Sequence, residues 1–235
     1  MLLNTANDKR NYAMRYFDYI SDAKVDMLFP QVPGATQHRV AAKFGFDIKL
    51  FRGEIATERS TFDSRIARLR AVAEHLHSHE EVGVAGERTS WIKGTLDAKF
   101  LDIGGGAILY VAEVRESHAL IALGGSAKHL IGGDAPEKAS IPISHLHVLT
   151  KTLTRLAERQ PEYLLRLSEE DLSRYLASGI SQEFDAWINV IFWAWNHASM
   201  PSQRIEFLAK RLATKETRAG LYVTLATPLF VSLVD

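Results

Sequence analysis

A glycine pair followed by a serine, a lysine and a histidine is the segment of this sequence best suited to binding an anion. Gly124, Gly125 and Ser126 follow an apolar stretch and precede a short predicted helix, and Lys128 and His129 stand within one turn. Glycines allow backbone N–H groups to approach a ligand, and a helix start favours negative charge. The segment therefore predicts binding of a small anionic molecule such as a nucleotide or a phosphate compound. The alternative is structural, because a strand-to-helix turn also needs glycine and a serine cap, and the full spacing of a phosphate-binding loop is missing.

Two carboxylates and a lysine lie just after the first predicted strand. Asp22, Lys24 and Asp26 follow Ser21 there, and ligands often bind beyond the carboxyl ends of strands. These groups can bind a divalent ion with a phosphate ligand, or do acid–base chemistry. The second hypothesis is therefore a hydrolase or transferase that uses Asp22, Asp26 or Asp47. The alternative is that Asp22 caps the next turn, while Lys24 and Asp26 are solvated or paired locally.

Composition excludes several kinds of site. The 235 residues contain no cysteine, which removes disulfides, thiolate metal sites and cysteine nucleophiles. The histidines form no His-Glu-x-x-His pattern, and histidines two apart face different sides of a helix, so we predict no metal site and name no cofactor. Lys plus Arg equals Asp plus Glu at 28 each. A domain that binds duplex nucleic acid usually has a basic excess, so we do not expect one.

Hydropathy favours a protein without a membrane segment. No apolar stretch has the roughly 20 residues that span a bilayer, and the first residues lack the apolar core of a signal peptide. Together with the absence of cysteine, this predicts a cytoplasmic protein. The segment Trp187–Trp195 is apolar on nearly all sides. It predicts either a helix buried on both faces or a surface for a protein partner or a second copy of the chain.

Hydrophobic periodicity gives the elements of the first part of the chain. Alternating apolar residues predict strands over Arg15–Ser21 and Phe46–Ile55. Apolar residues three and four apart predict an amphipathic helix over Thr61–His79. Thr36 can cap a helix that runs to Phe44, and Asp22–Leu28 is expected to be a turn or a one-turn helix.

The middle of the chain is predicted to be rich in strands. Ser90–Ile103 is one strand or two, and a run of three glycines after it forces a turn. Ala107–Arg115 and His118–Leu123 follow with the spacing of a tight hairpin. Both are nearly continuous apolar runs, which is typical of central strands in a sheet.

The last third is predicted to be helical until the C-terminal strand. Helices are expected over Ser144–Arg159, over Ser181–Ala198 and from Pro201 to about Ala213. A strand over Leu221–Val234 follows, in which Pro228 marks an edge, a bulge or a break. We expect it to return to the N-terminal strand.

The order of elements predicts the fold class, because regular alternation of strands and helices is missing. We expect one α+β domain over residues 1–235, with a mixed or largely antiparallel sheet. A helical block, about residues 144–213, is expected as a lobe inserted before the C-terminal strand.

The segment Tyr19–Gln31, YISDAKVDMLFPQ, resembles an uncharacterised family of bacterial proteins, common in actinobacteria, with the opening pattern YIS-x-x-KVDML-x-PQ. Three further segments resemble it: Phe44–Leu50, Leu123–Gly132 and Thr224–Val231. The four segments span the chain, so the resemblance implies one full-length homologous unit. It implies no function, because the family has none assigned.

Overall fold

The computed structural model describes residues 16–44, 58–104, 106–132, 186–198, 200–217 and 220–234. The strands are β1 (Tyr16–Ile20), β2 (Val82–Val84), β3 (Trp91–Gly104), β4 (Ala107–Val114), β5 (Ala119–Ser126), β6 (Gln203–Glu216) and β7 (Tyr222–Leu233). The helices are α1 (Asp22–Leu28), α2 (Gly34–Phe44), α3 (Glu58–His79) and α4 (Ala186–His197). The strand expected at Phe46–Ile55 and the helix expected at Ser144–Arg159 lie outside the described residues.

Five strands form a sheet that closes on itself. Each strand in the order β3, β4, β5, β7, β6 pairs with the next, and β6 pairs again with β3. The closure is possible because β3 is long: Trp91–Ala98 pairs with β6, and Lys99–Gly104 pairs with β4. Strands β5 and β7 are parallel, while the other pairs around the ring are antiparallel. The expected α+β class with a mixed sheet is confirmed, and this strand order is the connectivity of the OB-fold Greek key.

Alternation along the strands divides their apolar residues between the interior of the closed sheet and its outer face. The interior receives side chains from all five strands: Ile92, Ala98, Ile108, Tyr110, Ala112, Ile121, Leu123, Ile205, Phe207, Ala209, Ala226 and Val231. The alternate residues of β4 and β5, such as Leu109 and Leu120, form an outer cluster with Ile188 and Ile191 of α4. The strands β4 and β5 are therefore buried on both faces, as their continuous apolar runs predict.

The other outer face of the sheet packs against α1 and α3. Leu69, Val72 and Leu76 are three and four residues apart on α3, and they share a cluster with Leu208 of β6 and Leu229 of β7. The predicted amphipathic helix is thus confirmed, with its apolar stripe against the sheet.

Strand β1 extends the closed sheet by pairing antiparallel with β7. The expected return of the C-terminal strand to the N-terminal one is therefore confirmed. Pro228 lies at a register shift, where Leu208 pairs with Phe230 while Ala209 pairs with Pro228. A bulge suits proline, which cannot donate a ladder hydrogen bond.

The prediction of a helix from Pro201 to about Ala213 is wrong, because Gln203–Glu216 forms strand β6. The segment is rich in Ala, Leu, Lys and Arg, which favour helices. Its period-two set, Ile205, Phe207 and Ala209, fills the interior instead. Pairing with β3 on one edge and β7 on the other outweighs the local propensity.

The expected helical block, about residues 144–213, is therefore wrong over residues 203–213, which belong to β6. Its described part is helix α4, which corresponds to the helix predicted over Ser181–Ala198. Residues 144–185 lie outside the described residues, so a lobe there stays a prediction. No helix in the described part of the chain combines the length and the apolarity needed to cross a membrane.

Candidate functional site

Strand β1 brings the two predicted polar segments together. On one side it pairs with β7, and on the other Tyr19 forms a bridge with Leu130 while Ile131 N donates to Asp18 O at 2.9 Å. The end of β1 and the start of α1 therefore lie beside the end of β5 and the 3-10 turn Ala127–His129. The residues that converge there are called the Lys24 cluster below: Tyr19, Ser21, Asp22, Lys24, Arg65, Gly125, Ser126 and His129.

Lys24 is the buried cation of the cluster. Its side chain is folded inward from α1, with 7% of the residue exposed. Nζ donates to Ser21 Oγ at 3.2 Å and to the Pro228 carbonyl oxygen at 2.9 Å. Burial lowers the pKa of Lys24 to about 7, because an ammonium ion is poorly solvated inside a protein.

Tyr19 places a phenol group at the centre of the cluster. The residue is fully buried and belongs to the interior apolar cluster. Its Oη lies beside the Ser21 side chain and the Ser126 backbone, and it makes no well-formed hydrogen bond to any described residue. Burial raises the pKa of Tyr19, so the phenol keeps its proton and has one to donate.

The structure corrects the expected environment of the glycine pair. Strand β5 continues through Ser126, so Gly124 and Gly125 lie in the strand, opposite Leu109 and Ile108, and not in a turn. The reason for a glycine at position 125 is space. A Cβ atom there would lie 2.5 Å from Tyr19 Oη and 2.8 Å from Tyr19 Cζ. Gly125 therefore allows the tyrosine to lie against β5.

Ser126 and His129 contribute buried polar atoms that have no hydrogen bond within the described part of the chain. The Ser126 hydroxyl does not cap the turn that follows it, and its Oγ has no hydrogen bond within the described part of the chain. His129 is 4% exposed, and its ring meets the ring of Tyr19 edge to face at 5.7 Å. Most buried polar atoms in proteins are hydrogen-bonded, and Tyr19 Oη, Ser126 Oγ and His129 Nδ1 are exceptions within the described residues.

Asp22 and Arg65 form the rim of the cluster. Arg65 reaches from α3, and its Nη2 donates to Asp22 Oδ2 at 2.8 Å and to the Ile20 carbonyl oxygen at 2.9 Å. His129 Nδ1 lies 3.7 Å from Asp22 Oδ2, which is too long for a hydrogen bond. Burial by itself would raise the pKa of Asp22, but His129 and Arg65 offset this and hold it below the usual value. The Asp22 side chain is 45% exposed, so the cluster meets solvent here.

Two of the expected site residues point elsewhere. Asp26 forms an ion pair with Arg68 of α3, and the Lys128 side chain is exposed. Asp22 and Asp26 each form an ion pair with a different arginine of α3, Asp22 with Arg65 and Asp26 with Arg68. Among the described residues, no group of three or more His, Asp or Glu side chains could hold a metal ion. Asp47 lies outside the described residues.

The structure contains two side-chain contacts that the sequence analysis does not predict, although the spacing of the residues is typical of such contacts. Ser21 and Lys24 are three apart, which places both on one face of the first helical turn. His75 and His79 are four apart, and their rings stack at 4.3 Å. The spacing of four residues is the signal in the sequence for this second pair.

Helix α4 is buried on one side against the sheet. Ile188, Ile191 and Ala194 are buried there, whereas Trp187 and Trp195 are half-buried. In OB-folds the outer face of the second and third strands commonly binds oligonucleotides. The corresponding strands here are β4 and β5, and α4 covers that face.

Comparison with known proteins gives a family without an activity. A family model described as "Family of unknown function (DUF7019)" matches residues 15–235. The expected resemblance to a family of unknown function is thereby confirmed. No curated protein and no solved structure matches the chain significantly.

Proposed function

The chain belongs to the family of unknown function DUF7019, and we propose that it binds a small anionic molecule at the Lys24 cluster. One observation carries the proposal. Lys24 is a buried amine, and within the described residues its Nζ bonds only to the neutral oxygens of Ser21 and Pro228. Because its ammonium form has no counter-ion among them, burial lowers the pKa of Lys24 to about 7, and a bound anion would stabilise that charged form.

Unpaired groups beside the lysine suit the oxygens of an anion. The Tyr19 phenol keeps its proton, and the Ser126 hydroxyl has a rotatable one. Neither makes a well-formed hydrogen bond to a described residue. Hydrogen bonds to charged oxygens are stronger than those between neutral groups, so a phosphate-like or carboxylate ligand would bind better than a neutral one.

The exposure of Asp22 and its pairing with Arg65 indicate the side from which an anion reaches the cluster. The half-exposed Asp22 marks the point where the cluster meets solvent. Since Asp22 is already neutralised by Arg65, its carboxylate repels an incoming anion less than a free one would. We therefore expect the anionic group of a ligand to approach Lys24 from the side of Asp22 and Arg65.

The other two hypotheses stay predictions. For a hydrolase or transferase that uses Asp22 or Asp26, each carboxylate is already paired with an arginine of α3. A protein partner or a second copy of the chain at Trp187–Trp195 stays a prediction. One face of that helix is already occupied by the sheet.

Thermal and chemical unfolding with inorganic phosphate, AMP and acetate tests the proposal. A ligand present at 100 times its Kd stabilises the folded state by about 2.7 kcal/mol. We expect one of these anions to stabilise the wild type, and we expect Lys24→Met to lose that effect. Lys128→Met is the matched control, because its lysine is exposed, and it should respond like the wild type. Equal stabilisation of the wild type and Lys24→Met, or none by any of the three anions, would contradict the proposal.

A further inference from the structure

We propose that Ser21 and Lys24 form a nucleophile–base pair that transfers an acyl group, with Ser21 Oγ as the nucleophile. This inference rests on the proposed function, because the tetrahedral intermediate of acyl transfer is a small anion formed beside the serine. A cluster that binds an anion next to a nucleophile has the complementarity that catalysis requires.

The first support is the geometry of the pair. Lys24 Nζ and Ser21 Oγ are 3.2 Å apart, within the reach expected of a base and the hydroxyl that it activates. Ser21 immediately precedes α1 and Lys24 lies one turn later. Serine and lysine at this spacing form the nucleophile and its neighbouring lysine in penicillin-binding proteins and class A β-lactamases. The shared spacing does not imply a shared fold.

The second support is a third group that orients the base. The Pro228 carbonyl oxygen accepts a hydrogen bond from Nζ at 2.9 Å. Pro228 lies at the register shift of β7, and Ser21 N bonds to Leu229 O in the same strand. Both members of the pair are thus fixed to one segment of the sheet. A base that is oriented by a third group is the usual arrangement for an activated nucleophile.

The third support is the protonation of the groups involved. Burial lowers the pKa of Lys24 to about 7, so a large fraction of the amine is neutral at physiological pH. Asp22, Arg65 and His129 are the neighbouring charged or titratable groups of the cluster. Tyr19 keeps its proton and lies beside the Ser21 side chain, where it can donate to an oxyanion.

The reaction proceeds in two balanced steps. In the first, the neutral Lys24 amine takes the Ser21 proton while Oγ bonds to the acyl carbon, and the carbonyl electrons move onto its oxygen. That oxyanion accepts a hydrogen bond from Tyr19. When it collapses, the leaving group departs with the proton from the Lys24 ammonium, and Ser21 holds the acyl group as an ester. In the second step, water gives a proton to Lys24 and bonds to the acyl carbon of the ester. As the bond from that carbon to Ser21 Oγ breaks, the Lys24 ammonium returns the proton to Oγ, which restores the hydroxyl and the neutral amine and releases a carboxylic acid.

Acylation by p-nitrophenyl acetate tests the pair. We expect release of p-nitrophenolate and one acetyl ester, cleaved by neutral hydroxylamine, on the peptide that contains Ser21. Because the base must be neutral, the rate of ester formation should rise about tenfold per pH unit below pH 7 and level off above it. Lys24→Met should lower the rate at least about 100-fold. Ser64→Ala, which removes another buried serine, should keep the wild-type rate.

The outcomes separate this inference from the proposed function. Ester formation on Ser21 with the expected pH profile supports the pair, and peptide mapping of the wild type gives that result even if a variant fails to fold. Stabilisation by phosphate without any ester on Ser21 overturns the acyl-transfer inference alone. An ester on Ser21 without stabilisation by any anion overturns the proposed function alone. An ester found only on other residues, or one formed equally fast in Lys24→Met, overturns the role of the pair.

Discussion

Gly125 of β5 lies so close to Tyr19 of β1 that a Cβ at position 125 would stand 3.0 Å or less from three atoms of the tyrosine side chain. The contact fixes the approach of β1 to the closed sheet, and with it the position of Ser21 and α1. The glycine is therefore explained by its neighbour and not by a turn.

Gly125→Ala should destabilise the protein by about 1–3 kcal/mol, because a methyl group would force the buried tyrosine to move. Urea unfolding of Gly125→Ala, Tyr19→Leu and the double variant measures the coupling between the two sites. The double variant should be less destabilised than the sum of the single ones. Gly34→Ala is the control, since its Cβ would meet nothing within 4 Å. Strict additivity of the two changes would show that the contact does not matter.

The stability of the protein should depend on the ionisation of Lys24. Its pKa is about 7 in the folded state and 10.5 in the unfolded chain. Between these values the unfolded state holds a proton that the folded state lacks, so the unfolding free energy should rise with pH. The rise is at most about 1.4 kcal/mol per pH unit. Urea unfolding of the wild type and Lys24→Met from pH 7 to 9.5 measures it as a difference that grows with pH. Parallel profiles would mean that the lysine is not desolvated.

The hydrogen bond from Tyr110 Oη to Asp18 Oδ2, 2.5 Å long, ties β4 to β1. Tyr110→Phe should cost about 1.5–3 kcal/mol, because it leaves a carboxylate without its donor. Differential scanning calorimetry is the measurement, with Tyr16→Phe as the control because Tyr16 is exposed. A loss no larger than that of the control would show that solvent replaces the tyrosine at little cost.

Helix α4 should contribute to stability through its face against the sheet. Ile191 is fully buried in the cluster that joins α4 to β4, β5 and β7. Ile191→Ala should therefore cost about 2–5 kcal/mol in urea unfolding. Asn196→Ala, at an exposed position of the same helix, should change stability by about 0.5 kcal/mol or less. If both variants unfold alike, the helix does not pack on the sheet as described.

Local sequence patterns predict correctly those helices and strands whose apolar residues follow only one period, either helical or strand-like. The stripe of Leu69, Val72 and Leu76 marks α3, and the apolar runs of β4 and β5 mark strands buried on both faces. The segment of β6 contains both a helical and a strand period. Its outcome depends on pairing with β3, which is distant in sequence, and with β7, which is the next strand.

The candidate site was predicted only in part, because its members are joined by tertiary contacts. Asp22, Lys24, Ser126 and His129 could be proposed from residue types alone. Strand β1 brings them together because Tyr19 pairs with Val231 on one side and with Leu130 on the other. Neither pairing can be predicted from residue types. The Lys24 side chain points inward, whereas the side chains of Asp26 and Lys128 point outward. These directions depend on which face of each helix or turn meets the sheet. The spacing of Ser21 and Lys24 was the signal available in the sequence.

Isothermal titration calorimetry with sulfate tests the central claim, anion binding at Lys24, most directly. Sulfate keeps its charge between pH 6 and 9, so any proton exchanged on binding belongs to the protein. At pH 8 most of the Lys24 amine is neutral. A bound anion favours its ammonium form, so binding should take up most of one proton and weaken as the pH rises. The number of protons taken up is obtained by comparing the binding enthalpies measured in two buffers of different ionisation enthalpy. We expect this uptake in the wild type and in Lys128→Met, and no binding in Lys24→Met. Binding of equal affinity in Lys24→Met, or binding without proton uptake, would contradict it.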